Sequence, residues 1–250
     1  RKGLIIIEYV GSKNRLSKEL IPIIQSYITT NTKGYLEPFV GGANMIDKIQ
    51  CHNKIGVDSH EELIELLKYT QDLANIIPDD VTREKYNDVK DNKNNYPMWY
   101  VGLVGFCGSF GSKYFGGYAY DPRYEKRNSN GSAIKTAIKN LEKQRVSLQN
   151  INFIHMDFRE LPIERIKDYV IYCDPPYRGT TKYKTIEFPY DKFYEWCREA
   201  STYNTVLISE YNMPDDFECI WQKKADILLG QSINKNSVVS KVEKLFTYKK

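Results

Sequence analysis

Residues 171–179, IYCDPPYRG, run from an apolar stretch into a carboxylate, Asp174. Pro175 and Pro176 fix the next two positions, and the aromatic Tyr177 follows. Isoleucine, tyrosine and cysteine suit a strand, and proline cannot continue one. The acid therefore reaches a strand tip, with a rigid turn locked behind it. A second cluster lies upstream. Gly41 and Gly42 stand between a predicted strand and a predicted helix, where glycine lets the backbone approach a ligand closely. Asp58 lies 17 residues beyond Gly41, at the end of the next predicted strand. An acid there can accept hydrogen bonds from ribose hydroxyls; in the dinucleotide fingerprint it falls about 20 residues on. The full GxGxxG pattern is absent. The combination points to an adenosine-type ligand without choosing between a dinucleotide and another adenosyl compound. Asp157 closes a third strand-like run. In an open parallel sheet the strand C-termini share one edge, and ligands bind there.

The elements that would position these acids can be read from periodicity. Residues 15–29 carry Leu16, Leu20, Ile23, Ile24 and Tyr27 at near-helical spacing. GYLEPFVGG predicts a strand and glycine turn, ANMIDKIQ a helix, KIGVDS a strand ending at Asp58, and HEELIELLKYTQDL an amphipathic helix. Residues 34–75 thus read as strand, turn, helix, strand, helix, a βαβ unit that implies a parallel sheet. From about Pro78 to Asn150 strand signals are scarce, and glycines and aromatics are mixed with charges. A helix is predicted over 132–148. This stretch reads as an insertion. The βα texture then resumes: INFIHMDF as a strand ending near Asp157, DYVIYCDPPY as a strand, YDKFYEWCREAS as a helix and TVLISEY as a strand. FECIWQK and VEKLFTYK follow as a closing antiparallel pair.

The chain has 250 residues and a net charge of +4. Between Ser112 and Arg145 stand eight Lys or Arg against three acids, so the basic excess is confined to the insertion and the remainder is near neutral. A basic segment on a neutral body suits a polyanion, although a solvated helix face has the same composition. Five cysteines without a CxxC pair argue against a disulfide framework or a zinc site and for a reducing compartment. Three scattered histidines suggest no metal cluster. LIII near the start is too short for a signal peptide or membrane span, and Arg1 in place of Met implies a trimmed form.

DPPY together with EPFVGG, in that order and separated by an insertion, resembles the Dam-type (D12 class, alpha-group) DNA N6-adenine methyltransferases. EYVGSK is similar to the family's aromatic-x-Gly-x-Lys segment, VDSHEEL to its ribose-binding acid and following helix, and HMDF to the motif before the catalytic strand. The likeness covers both ends of the chain and most of the sheet, and is faint in the insertion. Tyr9 stands where relatives often carry tryptophan, and VGGAN lacks a third glycine common among them.

The resemblance implies a Rossmann-like class I α/β sheet formed by residues 1–77 and 150–250, with 78–149 as a mostly helical target-recognition subdomain. It implies S-adenosylmethionine as methyl donor, no metal, and N6 of an adenine flipped out of double-stranded DNA as acceptor. Asp174, Pro175, Pro176 and Tyr177 would be catalytic. Tyr9, Lys13, Glu37, Phe39, Gly41, Asp58, Asp157, Phe158 and Asp174 would hold the cofactor, with Lys13 near its carboxylate. Lys113, Arg123, Lys126 and Arg127 are the DNA-binding candidates. A cytoplasmic, nucleoid-associated enzyme with a partner restriction endonuclease fits this picture. RNA adenine, cytosine N4 or a protein glutamine are alternative acceptors, though relatives that use cytosine or glutamine tend to carry Ser or Asn in place of Asp174. A catalytically inactive DNA-binding relative is a further alternative.

Several residues also have plainer readings. Tyr9, Phe39 and Phe158 suit a core, Lys13 a solvated charge, and Asp157 a cap on the turn DFRELP.

Overall fold

The computed structural model describes residues 13, 16–119, 133–178, 188–228 and 238–249. Helix α1 (Ser17–Ser26) precedes β1 (Gly34–Glu37), β2 (Lys54–Asp58) and α2 (Glu61–Gln71). Between α2 and β3 come α3 (Arg83–Asp91), α4 (Met98–Gly102), a π-helical turn (Leu103–Cys107) and α5 (Ala133–Gln144). The chain ends with β3 (Ile151–His155), β4 (Tyr169–Cys173), α6 (Tyr190–Ser201), β5 (Thr205–Glu210), β6 (Phe217–Leu228) and β7 (Val238–Tyr248).

The strands form one seven-stranded sheet in the order β3-β2-β1-β4-β5-β7-β6. The first five are parallel, and β7 runs antiparallel to both β5 and β6. This is the Rossmann-like sheet and closing antiparallel pair expected from the sequence. Strand order reverses between β1 and β4, so their C-terminal ends flank the crevice where such sheets bind ligands.

Alternation along the strands sends side chains to two cores. Tyr35, Val170, Tyr172, Leu207 and Leu245 pack on one face with Leu20 and Ile24 of α1 and Ile64 and Leu67 of α2. Leu36, Val57, Ile171, Cys173, Val206 and Ile208 pack on the other, with Phe193, Trp196 and Cys197 of α6. Both faces are covered, which explains the near-continuous apolar runs of β4 and β5. A third cluster joins Leu66 of α2 to Tyr86, Val89, Val101, Val104, Ile134, Ile138 and Leu141. The segment between α2 and β3 thus packs against α2 around a cluster apart from the two that cover the sheet. At Gly102 the docking is closest, since a Cβ there would stand 2.1 Å from the Glu62 carbonyl oxygen.

Two sequence expectations need correction. ANMIDKIQ forms only one 3-10 turn, Ile46–Lys48. Residues 43–46 are all buried and exposure begins only at Asp47, so the first half of the segment presents no wet face, and Ala43 takes a left-handed φ of 56°. The strand expected to end near Asp157 stops at His155; Asp157 instead caps the 3-10 turn Phe158–Glu160. Helices α1 and α5 are also shorter than the periodicity suggested. All five cysteines are free. Among the described residues no helix is long and apolar enough to cross a membrane, and no cluster of His, Cys, Asp or Glu could hold a metal ion.

Candidate active site

The rigid turn after β4 is where the sequence put it. Asp174 leaves the strand at the sheet's ligand edge, next to β1. Lys13 Nζ lies 3.1 Å from its carboxylate and 3.5 Å from that of Glu243 on β7, and 4.1 Å from the centre of the Tyr177 ring. Tyr177 donates its hydroxyl to Glu243 at 3.1 Å, and Tyr211 meets its ring edge-on with centroids 4.6 Å apart. Lys13 is only 7% exposed, so the plain reading of a solvated charge is excluded. Burial pushes the Asp174 carboxyl above its ordinary range, and the Lys13 ammonium works against that shift. The pair favours an ionised acceptor at a place where desolvation alone would favour the neutral acid.

Glu210 ends β5 beside this turn. Its carboxylate accepts from the backbone N–H of Arg178 at 3.2 Å and of Tyr211 at 2.6 Å, tying the exit of DPPY to the neighbouring strand. Burial raises its pKa to about 7. A cleft of about 380 Å³ opens between Arg178, Tyr194 and the β5 exit, Glu210 to Pro214. The sequence reading missed Glu210, although the rule that found Asp58, an acid at a strand end, also applies to TVLISEY. It missed Glu243 as well, and for that residue there was no signal, because the face of a strand inside a hairpin is set by register.

The glycine turn follows β1. Gly41 has φ 49° and donates its N–H to Asp58 Oδ2 at 3.0 Å; Asp58 Oδ1 accepts from the His60 N–H at 3.0 Å. Each carboxylate oxygen keeps lone-pair capacity for a further donor. Glu37 is buried, and its carboxylate accepts from Tyr35 Oη at 2.7 Å; burial holds its carboxyl well above the usual range. Phe39 and Phe158 stack at a tilt, 5.4 Å apart, within a cluster that includes Phe188 and Phe193. Asp157 accepts from the Arg159 N–H at 2.9 Å and pairs with the Arg159 guanidinium at 2.7 and 2.8 Å, so the capping reading holds.

The turn also touches the insertion. Gln144, the last residue of α5, directs Nε2 at the carbonyls of Gly42 and Ala43, 3.1 and 3.2 Å away, and at Asp47 Oδ2, 3.2 Å away. Beyond β2, His60 packs edge-on against Phe106 and Tyr114, with centroids 4.9 and 4.4 Å apart, and Glu62 accepts from the Tyr114 hydroxyl at 2.9 Å. Lys113 is exposed. Tyr9, Arg123, Lys126 and Arg127 lie outside the described residues.

The donor set fits an adenosyl cofactor: a glycine turn, an acid with lone-pair capacity, and two aromatic rings at the ends of β1, β2 and β3. Residues 9–231 match a family model described as D12 class N6 adenine-specific DNA methyltransferase. The Type II methyltransferase M.FokI of Planomicrobium okeanokoites is 23% identical over 195 residues, which span 70% of this chain and 29% of that protein. Among solved structures, a protein described as a methylase from Haemophilus influenzae aligns with a TM-score of 0.35 at 8% identity, over 94% of this chain and 88% of that one. A methyltransferase solved with SAH aligns with a TM-score of 0.39 at 9% identity, over 94% of this chain and 52% of that one.

Proposed function

Because the chain belongs to the D12 class of N6 adenine-specific DNA methyltransferases, we propose that it moves a methyl group from S-adenosylmethionine to N6 of an adenine turned out of duplex DNA. The observation that carries the reading is the adjacency of two motifs. The DPPY turn after β4 and the glycine turn after β1 leave neighbouring parallel strands at one edge.

Adenine N6 is a weak nucleophile because its lone pair is delocalised into the ring. The Asp174 carboxylate and the Pro175 carbonyl each accept one N6 hydrogen, which localises the lone pair and stabilises the positive charge that develops on nitrogen. Pro175 and Pro176 have fixed φ, so the acceptors are aimed before the base arrives. The Tyr177 ring offers a stacking surface for the extruded purine. Lys13, 3.1 Å from Asp174, opposes the upward pull of burial on that carboxyl and so favours its accepting, anionic form. Asp58 accepts hydrogen bonds from the ribose hydroxyls, Glu37 and Phe39 line the pocket, and Asp157 with Phe158 takes the adenine end. The cofactor, when bound, supplies a methyl group on a sulfonium cation. Orienting two bound reactants is worth roughly 7–11 kcal/mol. The insertion, 78–149, is assigned to target recognition, with Lys113, Arg123, Lys126 and Arg127 toward the phosphates.

The test is product analysis. The protein is incubated with labelled cofactor and unmethylated duplex DNA, and the digested nucleosides are separated by mass. N6-methyladenine is the expected product. Methyl groups on cytosine, or only on RNA or protein, would replace the reading.

A further inference from the structure

We infer that Gln144 is a positioning residue for the adenosyl cofactor: through its side-chain amide, the helix that closes the insertion fixes the glycine turn. The inference rests on the proposed cofactor chemistry and goes beyond it, because Gln144 belongs to the segment assigned above to target recognition and lies 102 residues from the backbone it holds.

The turn needs an outside hold. Gly41 has φ 49° and Ala43 φ 56°. The second is a left-handed conformation that is unfavourable for a residue with a Cβ, and such geometry persists only where the surroundings over-determine it. On one side Asp58 takes the Gly41 N–H. On the other, Gln144 Nε2 sits among three acceptors: the carbonyls of Gly42 and Ala43 and the Asp47 carboxylate. Asp47 is itself fixed by Lys48 Nζ at 2.7 Å, and the same ammonium reaches the Asn44 carbonyl at 2.6 Å. Three converging acceptors dictate which end of the amide faces the turn, since the reverse orientation would set oxygen against oxygen. Gln144 Oε1 is buried with no hydrogen-bond partner among the described residues. An orphaned buried acceptor is destabilising, so packing stability alone does not account for an amide here; the donor end does. Gln144 is 3% exposed and has no route to a ligand, so it acts through the turn.

The experiment compares the whole protein with Gln144→Met, which keeps length and volume without donors, and with Gln144→Glu, which keeps the shape and, when ionised, only accepts. Wild type is expected to bind S-adenosylhomocysteine in calorimetry. Both variants are expected to bind it at least tenfold more weakly and to show the same rise in KM for S-adenosylmethionine. Their kcat at saturating cofactor and KM for DNA should stay within about threefold of wild type. A folded Gln144→Met that binds S-adenosylhomocysteine like wild type overturns the inference and leaves the methyltransferase reading intact. Wild type that binds neither compound removes that reading, and this inference with it. Should the variants fail to fold, hydrogen exchange on wild type decides. Addition of S-adenosylhomocysteine should protect both residues 41–47 and residues 140–148; protection of the first alone overturns the proposal.

Discussion

At Asp174 the physical conflict is between burial, which favours the neutral acid, and the acceptor role, which needs the anion. Lys13, 3.1 Å away, offsets part of the burial that raises the carboxyl. Asp174→Ala removes one of two acceptors and should lower methyl transfer at least 10²–10³-fold, about the loss seen when one preorganised group is deleted elsewhere. The residue stands at a strand end, so circular dichroism should show the fold kept; near-normal transfer by this variant would show that the roles are misassigned. Glu210 gives a pH signature. Its folded pKa, about 7, exceeds its ordinary value of 4.5. The folded chain then binds more protons than the unfolded one between those values, and the contribution to stability fades as pH rises through that window. Denaturant melts should show Glu210→Gln without this loss between pH 5 and 8; an equal slope in both proteins would rule it out. The placement of Asp174, Asp58 and the glycines at strand ends and in a turn was legible because it depends on local order in the sequence. Glu243, Gln144 and the Lys13–Asp174 pair were not, because they depend on which distant segments meet.

At the scale of elements, periodicity was informative where an element had one buried and one wet side, as in α2, whereas β4 and β5, buried on both faces, were legible as short continuous apolar runs. It failed at ANMIDKIQ, whose first four residues are buried without a wet face, and a strained turn replaced the expected helix. The third strand was also carried on to Asp157, which stands two residues past its end and caps a turn. The contact between α2 and α4 offers a test. Gly102→Ala would drive a Cβ to 2.1 Å from the Glu62 carbonyl. The helices must part, and overpacking of this kind costs about 1–3 kcal/mol. Chemical denaturation should register that loss; an unchanged midpoint would mean that α4 is free to shift.

For the molecule as a whole, charge separates the two parts. The sheet domain is near neutral, and the basic excess falls in the insertion. If that segment meets phosphates, DNA affinity should fall steeply between low and moderate salt through counterion release. Lys113→Ala should weaken binding across sequences alike and reduce the salt slope by about one. Titrations at several salt concentrations would check this; a flat response would take the insertion out of DNA binding.

The grip of α5 on the glycine turn has a consequence for recombination. A relative's recognition segment spliced in with its downstream crossover placed after residue 144 would bring a foreign side chain to that position. Placed a few residues earlier, the junction would keep the native amide. Two chimeras differing only in that boundary should therefore differ in their appetite for the methyl donor while reading the same DNA word.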